Sequence, residues 1–365
     1  MSRWGVSIAV VLIAWMSGVP GGMACADEFN AALNSIASPD IQAHVEVLAD
    51  DAMEGREAGS RGARAAADYL CKKFVALELK PSGDPEAYTQ TFERSVYRNL
   101  LAKLPGSDPV LRNEYVLVGA HYDHVGYDTR RKSGGPWGRI HNGADDNASG
   151  VSGVLEVAEA VTLLEPPPKR SILFALWDAE EKGMLGSKHW GANPTVPLRD
   201  VALAFNADMI GRLRGDTVQV FGSRTACGLR RWASENNQPT ELRLDFSWEM
   251  KPNSDQFSFV ERGIPTLMLH TGLHDQWHRP SDDADTINFE GATKAAQLLF
   301  SMVVQGANQP ERFAFRSESR AESPAGRERL ETPTTPRAPR LGIAWSTQEG
   351  ERAGVYLTHV TPGSA

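Results

Sequence analysis

Six short runs of apolar and β-branched residues constrain this 365-residue chain more than any other feature, because each is too short for a helix and is bounded by turn-forming residues. They fall at residues 99–104, 115–120, 170–177, 201–206, 217–221 and 265–270 and predict strands. Several are nearly all apolar, which predicts burial on both faces of a sheet. Between them the spacing turns helical. Val151, Val154, Leu155, Ala158 and Val161 share one face behind Ser149 as the expected N-cap, and residues 61–79 and 289–304 repeat the pattern. Strands alternating with helices predict an α/β chain, specifically a three-layer α/β/α domain with a central, mostly parallel mixed sheet. The apolar stripes are core and imply no cofactor.

Hydrophobic residues make up 41% of the chain and charged ones 23%, enough for one large globular domain with appendages. A net charge of −8 without a long basic stripe argues against nucleic acid or anionic membrane as a partner. Arg3, the apolar run from Val6 to Trp15 and the small-residue pattern Ala24-Cys25-Ala26 predict an export signal over residues 1–26. The mature chain is then expected to begin at Asp27, in the periplasm or outside the cell. No later stretch reaches the roughly 18 apolar residues of a membrane helix. Cys71 and Cys227, both in stretches read as helical, are too few for a disulfide scaffold and lack the spacing of a thiolate metal site. One bridge and two separate thiols are both open.

The main domain is expected to span residues 27–306. From 307 to 339 the composition shifts to Arg, Glu, Ser, Pro and Thr, which predicts a disordered linker. Residues 340–365 (RLGIAWSTQEGERAGVYLTHVTPGSA) return to strand-like alternation and resemble the opening of a PDZ domain, with LGI as the carboxylate-binding loop. That resemblance implies a peptide or protein C-terminus as partner, although so short a piece cannot bury a core of its own.

Chemistry concentrates where the apolar runs end, and in an open α/β sheet ligands gather at the carboxyl ends of the strands. VLVGAHYDHVG delivers His121 and, two residues on, Asp123, placed to accept the second ring N–H of His121. NGADDNASG sets Asp145 and Asp146 ahead of a helix, where paired acids alone would complement the helix dipole. SILFALWDAEEKG ends a buried run in Glu180 and Glu181, whose desolvation calls for something positive. VALAFNADMIG places Asp208 past another strand, a position that a turn or a cap would also explain. GLHDQWHRPSDDADTIN offers His274 and His278, with His270 just upstream; the acids Asp282 and Asp283 favour His278. Two His with three or more carboxylates and no ligating Cys fit a binuclear site for borderline-hard divalent ions, zinc first and cobalt or manganese next. Two such ions about 3.5–4 Å apart polarise a carbonyl and activate a shared water.

Taken in order, DAMEGREAGSRGARAAADYL, GAHYDH, GADDNASG, DAEEKG, NADMIG, SDQFSF and HRPSDDADT resemble the co-catalytic di-zinc exopeptidases of metallopeptidase family 28, over residues 50–288. The resemblance implies the zinc-exopeptidase type of three-layer fold and a secreted aminopeptidase acting on peptides with a free amino terminus. It implies two zinc ions, with His121 and Asp208 as terminal ligands of one, Glu181 and His278 of the other, and Asp146 bridging. Glu180 then matches the general base that deprotonates the bridging water, Asp123 the partner of His121, and Asp282 the partner of His278. Gln256 stands where the family often has His, and Asp283 where Thr is more usual. Two other readings keep the same scaffold: a single-zinc acyl transferase like the glutaminyl cyclases, and a non-catalytic peptide-binding protein.

Overall fold

The computed structural model describes residues 21–129, 131, 133–331, 343–345 and 357–360. Nine strands form one sheet: β1 (Lys80–Pro81), β2 (Thr89–Phe92), β3 (Tyr97–Leu104), β4 (Tyr115–His121), β5 (Ser171–Trp177), β6 (Val201–Ala207), β7 (Thr217–Phe221), β8 (Arg243–Phe246) and β9 (Thr266–His270). Their order is β1-β3-β5-β4-β6-β9-β7-β8, with β2 paired to β3. The central four, β5, β4, β6 and β9, run parallel, whereas β3 joins β5 and β7 joins β9 antiparallel. This is the three-layer α/β/α architecture with a mixed, mostly parallel sheet.

Every residue of β5, β6 and β9 is buried, and all of β4 after Tyr115. Successive side chains point to opposite faces, so both faces need helices. Val116, Val118, Ile172, Phe174, Leu176, Leu203 and Phe205 enter the larger core. There they meet α1 (Gly21–Ser35), α2 (Ser38–Leu48), α3 (Arg61–Ala76), α4 (Gly150–Thr162) and α8 (Phe289–Asn308). Leu117, Leu173, Ala175, Trp177 and Ala204 face the other way, toward Trp190 of α5 (Leu185–Ala192) and Phe259 of α7 (Gln256–Val260). The short α6 (Leu229–Glu235) adds Leu229 and Trp232 to the larger core.

The predicted strands lie within one or two residues of the observed ones. Two corrections concern detail. Ser149 stands at the N-cap position of α4 but its side chain makes no capping bond: its backbone is already helical, and Asn147 Oδ1 takes the Gly150 N–H at 3.0 Å. Cys227 lies in an exposed turn before α6 rather than in a helix, and neither it nor half-buried Cys71 is bridged. The first compact unit runs to Arg320. Residues beyond α8 hold to it through anchors that a compositional reading passes over. Arg312 pairs with Glu114 at 2.8 Å, Phe313 packs edge-on against Trp232, and Arg320 Nε donates to Val260 O.

The second unit, from Ala321, contains helix α9 (Pro324–Glu331) and an antiparallel pair, β10 (Ile343–Trp345) with β11 (Leu357–Val360). Most of the PDZ-like segment and residues 1–20 of the expected export signal lie outside the described residues. Helix α1 runs across the expected junction at Ala26 and Asp27. Among the described residues no helix is long and apolar enough to cross a membrane.

Candidate metal centre

Four adjacent parallel strands deliver their carboxyl ends to one edge of the sheet. His121 is the last residue of β4, Asp208 follows β6, Glu180 and Glu181 follow β5, and His278 lies in the loop after β9. Asp146 reaches the same point from the segment before α4. That segment is fastened to the β6 exit through Asn147, whose Nδ2 donates to Ala207 O at 2.9 Å and whose Oδ1 also accepts the Met209 N–H at 3.0 Å. Asp145, the first acid of the pair, serves the framework: its Oδ1 accepts Gly211 N–H at 2.7 Å and the Ser149 hydroxyl at 3.0 Å.

The result is two clusters with one shared member. His121, Asp146 and Asp208 form the first; His124, Asp146, Glu181 and His278 form the second, and within each the donor atoms lie within 4.8 Å of one another. His121 Nε2 stands 3.3 Å from Asp146 Oδ1 and 3.6 Å from Asp208 Oδ1. His278 Nε2 stands 3.0 Å from Asp146 Oδ2 and 3.1 Å from Glu181 Oε1. Asp146 therefore presents one oxygen to each side. All five metal-ligand candidates named from the sequence converge here, and His124 joins them unannounced.

Two supporting partners differ from expectation. The carboxylate of Asp123 lies 3.8 Å from His121 Nδ1, whereas its backbone oxygen lies closer, at 3.2 Å. The carboxylate instead accepts the backbone N–H groups of Glu180 (2.9 Å) and Glu181 (3.3 Å), so Asp123 steadies both turns of the site. Asp282 does not orient His278. It accepts the backbone N–H groups of Asp145 and Asp146, each at 3.1 Å, and His278 Nδ1 has no hydrogen-bond partner among the described residues. His274 Nε2 approaches Asp145 Oδ2 at 3.2 Å, and His270 Nδ1 accepts the Gly272 N–H. Gln256 is fully buried, donating to Lys251 O and Asn253 Oδ1, and Asp283 caps the turn at Ala284.

Behind the clusters, Arg56 is buried to 1% exposure and donates to four backbone oxygens, those of Tyr122, Leu48, Asn142 and Gly143. It thereby joins the β4 exit to the approach of Asp146. Burial lowers its guanidinium to about 10 against the pull of Asp146, Asp123, Asp282 and Glu181, so it keeps its charge at neutral pH.

The electrostatics are those of acids awaiting cations. Burial opposes charge on His121, yet Asp146 and Asp208 outweigh it and hold the imidazole well above its usual range. The same contest raises His278 to about 11, with Asp146 and Glu181 prevailing over desolvation. Asp146 is held well below the carboxylate range by His121 and His278 despite burial, and Glu181 sits at about 2, where His124 and His278 overcome burial and the repulsion of Asp146. Glu180 behaves oppositely: burial, with Glu181, Asp255 and Asp208 nearby, pushes it well above its usual range against the attraction of His121. Imidazole and carboxylate donors without a thiolate suit zinc, cobalt or manganese. In the metal-free chain, protons on His121 and His278 balance the acids where a cation would. The donor set and charge fit a pair of divalent ions.

Comparison with known proteins places this geometry in a lineage. The chain is 32% identical over 265 residues to leupeptin-inactivating enzyme 1 of Streptomyces exfoliatus, a match covering 70% of this chain and 55% of that protein. It spans about half the length of the curated relatives it matches. The fold is similar to that of the LapA aminopeptidase of Legionella pneumophila (TM-score 0.63, 23% identity, 78% of this chain and 76% of that one). It is also similar to that of Porphyromonas gingivalis glutaminyl cyclase (TM-score 0.60, 19% identity, 72% and 96%), so the scaffold alone does not choose between hydrolysis and acyl transfer. The family description "Peptidase family M28" matches residues 99–303, the stretch that carries every cluster residue. This chain belongs to peptidase family M28.

Proposed function

We propose that this chain is a two-zinc exopeptidase that hydrolyses the amino-terminal bond of peptides. The observation carrying the proposal is that Asp146 faces both clusters with separate oxygens, as a carboxylate bridging two cations must. In this reading His121 and Asp208 hold one ion, Glu181 and His278 the other, with cobalt or manganese as substitutes. A bound pair would polarise the scissile carbonyl and lower the pKa of a water between them. Glu180, raised by burial and its acidic neighbours, takes the water's proton and returns it to the leaving amine. Asp123, by accepting the Glu180 and Glu181 N–H groups, fixes the turn from which both carboxylates project.

The names of the similar proteins support peptide substrates: one inactivates leupeptin, another is called an aminopeptidase. Export of the chain and recognition of a protein C-terminus by its last residues belong to the same proposal. Metal analysis of purified protein, paired with peptides carrying free or blocked amino termini, tests it. The expected result is two zinc ions per chain and cleavage of free amino termini alone, abolished by chelator. One zinc per chain with cyclisation of amino-terminal glutamine would transfer the site to the glutaminyl-cyclase reading. Absence of any turnover with metals bound would leave a peptide-binding protein.

A further inference from the structure

We infer that His124 is an additional metal ligand at this centre, so that one cation position has four protein donors and the other three. The inference rests on the two-ion reading above. His124 is 1% exposed, and its Nδ1 lies 2.9 Å from Glu181 Oε1 and 3.9 Å from Asp146 Oδ2. Those are the same two oxygens that His278 Nε2 faces at 3.1 and 3.0 Å. Two imidazoles and two carboxylates thus converge on one point. Four donors set tetrahedrally at zinc's usual ligand distances are about 3.3 Å apart, and the observed spacings bracket that value.

A residue that merely orients a ligand takes its far side, as a carboxylate does on the distal nitrogen of a zinc-bound histidine. His124 instead approaches the Glu181 oxygen that His278 faces. Its other nitrogen, Nε2, is buried and has no partner among the described residues, so no hydrogen bond holds the ring from behind. Room for the ring comes from Gly143, at φ +59, where a Cβ would lie 2.6 Å from His124 Cδ2. The rings of His124 and His278 meet edge to face at 80°, which lets both nitrogens point inward.

Closed sets of four protein donors hold zinc tightly, and an open position is what admits water or substrate. The position shared by His124, Asp146, Glu181 and His278 is therefore the more tightly held one. The position of His121, Asp146 and Asp208, with one protein donor fewer, holds its ion less tightly.

Titration of metal-stripped wild type, His124→Ala and His124→Gln with Zn2+ decides the matter, with circular dichroism of each stripped variant to establish folding. Wild type is expected to bind two ions in two steps of unequal affinity. Both variants are expected to lose more than about 100-fold in the tighter step, beyond the ~10–100-fold typical of an outer hydrogen-bonding partner, and to leave the weaker step unmoved. In the Co2+-loaded protein, ligated rings give paramagnetically shifted exchangeable N–H signals; three are expected in wild type and two in His124→Gln. Two in wild type, or a tight step unchanged in folded variants, overturns the assignment of His124. A wild-type stoichiometry of one breaks the two-ion reading itself.

Discussion

The parallel centre of the sheet and its flanks are built from the same polymer under different rules. In β5 and β6 every side chain is buried, and these strands carry no ionisable group along their length. All their chemistry is displaced to the residues just past their carboxyl ends. In β7 and β8 burial alternates or is incomplete, one face meets solvent, and no cluster residue follows either strand. Burial on both faces thus does more than stabilise: it concentrates ionisable groups at strand exits, where acids left without water demand cations.

The contrast can be broken most directly at the exits. Glu180→Gln should lower kcat by about 10²–10⁴-fold, the range of a lost general base, while the zinc content stays at two; unchanged turnover would remove Glu180 from the chemistry. Within the centre, Leu173→Ala should cost about 2–5 kcal/mol in a denaturant melt, since Leu173 is fully buried in the smaller core that also holds Trp190 and Phe259. A loss under 1 kcal/mol would mean that the centre is no more tightly specified than the flanks.

Proton competition sharpens the comparison further. Because His278 titrates at about 11 in the metal-free chain, it is protonated at neutral pH and must release that proton to a cation. Glu181, at about 2, is already ionised and releases none. Zinc affinity should therefore climb as pH rises from 6 to 9, about tenfold per unit for each proton released, measured by titration calorimetry in buffers of different ionisation enthalpy. A flat profile would contradict the proton-for-cation exchange. The smallest effect belongs to the flank: Arg243→Ala on β8, exposed, should shift stability by no more than about 0.5 kcal/mol.

How far the sequence could be read follows the same division. Runs such as SILFALW announce buried strands by composition alone and place His121, Glu181 and Asp208 at or just past their exits, whereas Asp146, ahead of α4, and His278, in the loop after β9, were legible only through the order of motifs. Short flank strands such as β1 and β8, and helices such as α2 and α5 with mixed composition, lacked that contrast. His124 was missed because alternation stops informing direction once the chain leaves β4; a third metal-capable residue within HYDH was the only signal. Hydrogen bonds from remote backbone N–H groups to carboxylates, such as those of Asp145 and Asp146 to Asp282, or of Glu180 and Glu181 to Asp123, leave no mark in a linear pattern. Proximity in sequence suggested His278 and His121 as partners instead.

Arg56 gives the centre a resident counter-ion. Its guanidinium stays cationic at neutral pH among Asp146, Asp123, Asp282 and Glu181 in the metal-free chain, and it is moored by Leu48, Tyr122, Asn142 and Gly143, none of them a ligand. Stripping the ions therefore leaves mutual repulsion among the acids partly offset from within. Inactivation by chelation should be a reversible unloading of an intact vessel, with activity returning on re-addition of zinc without a refolding step.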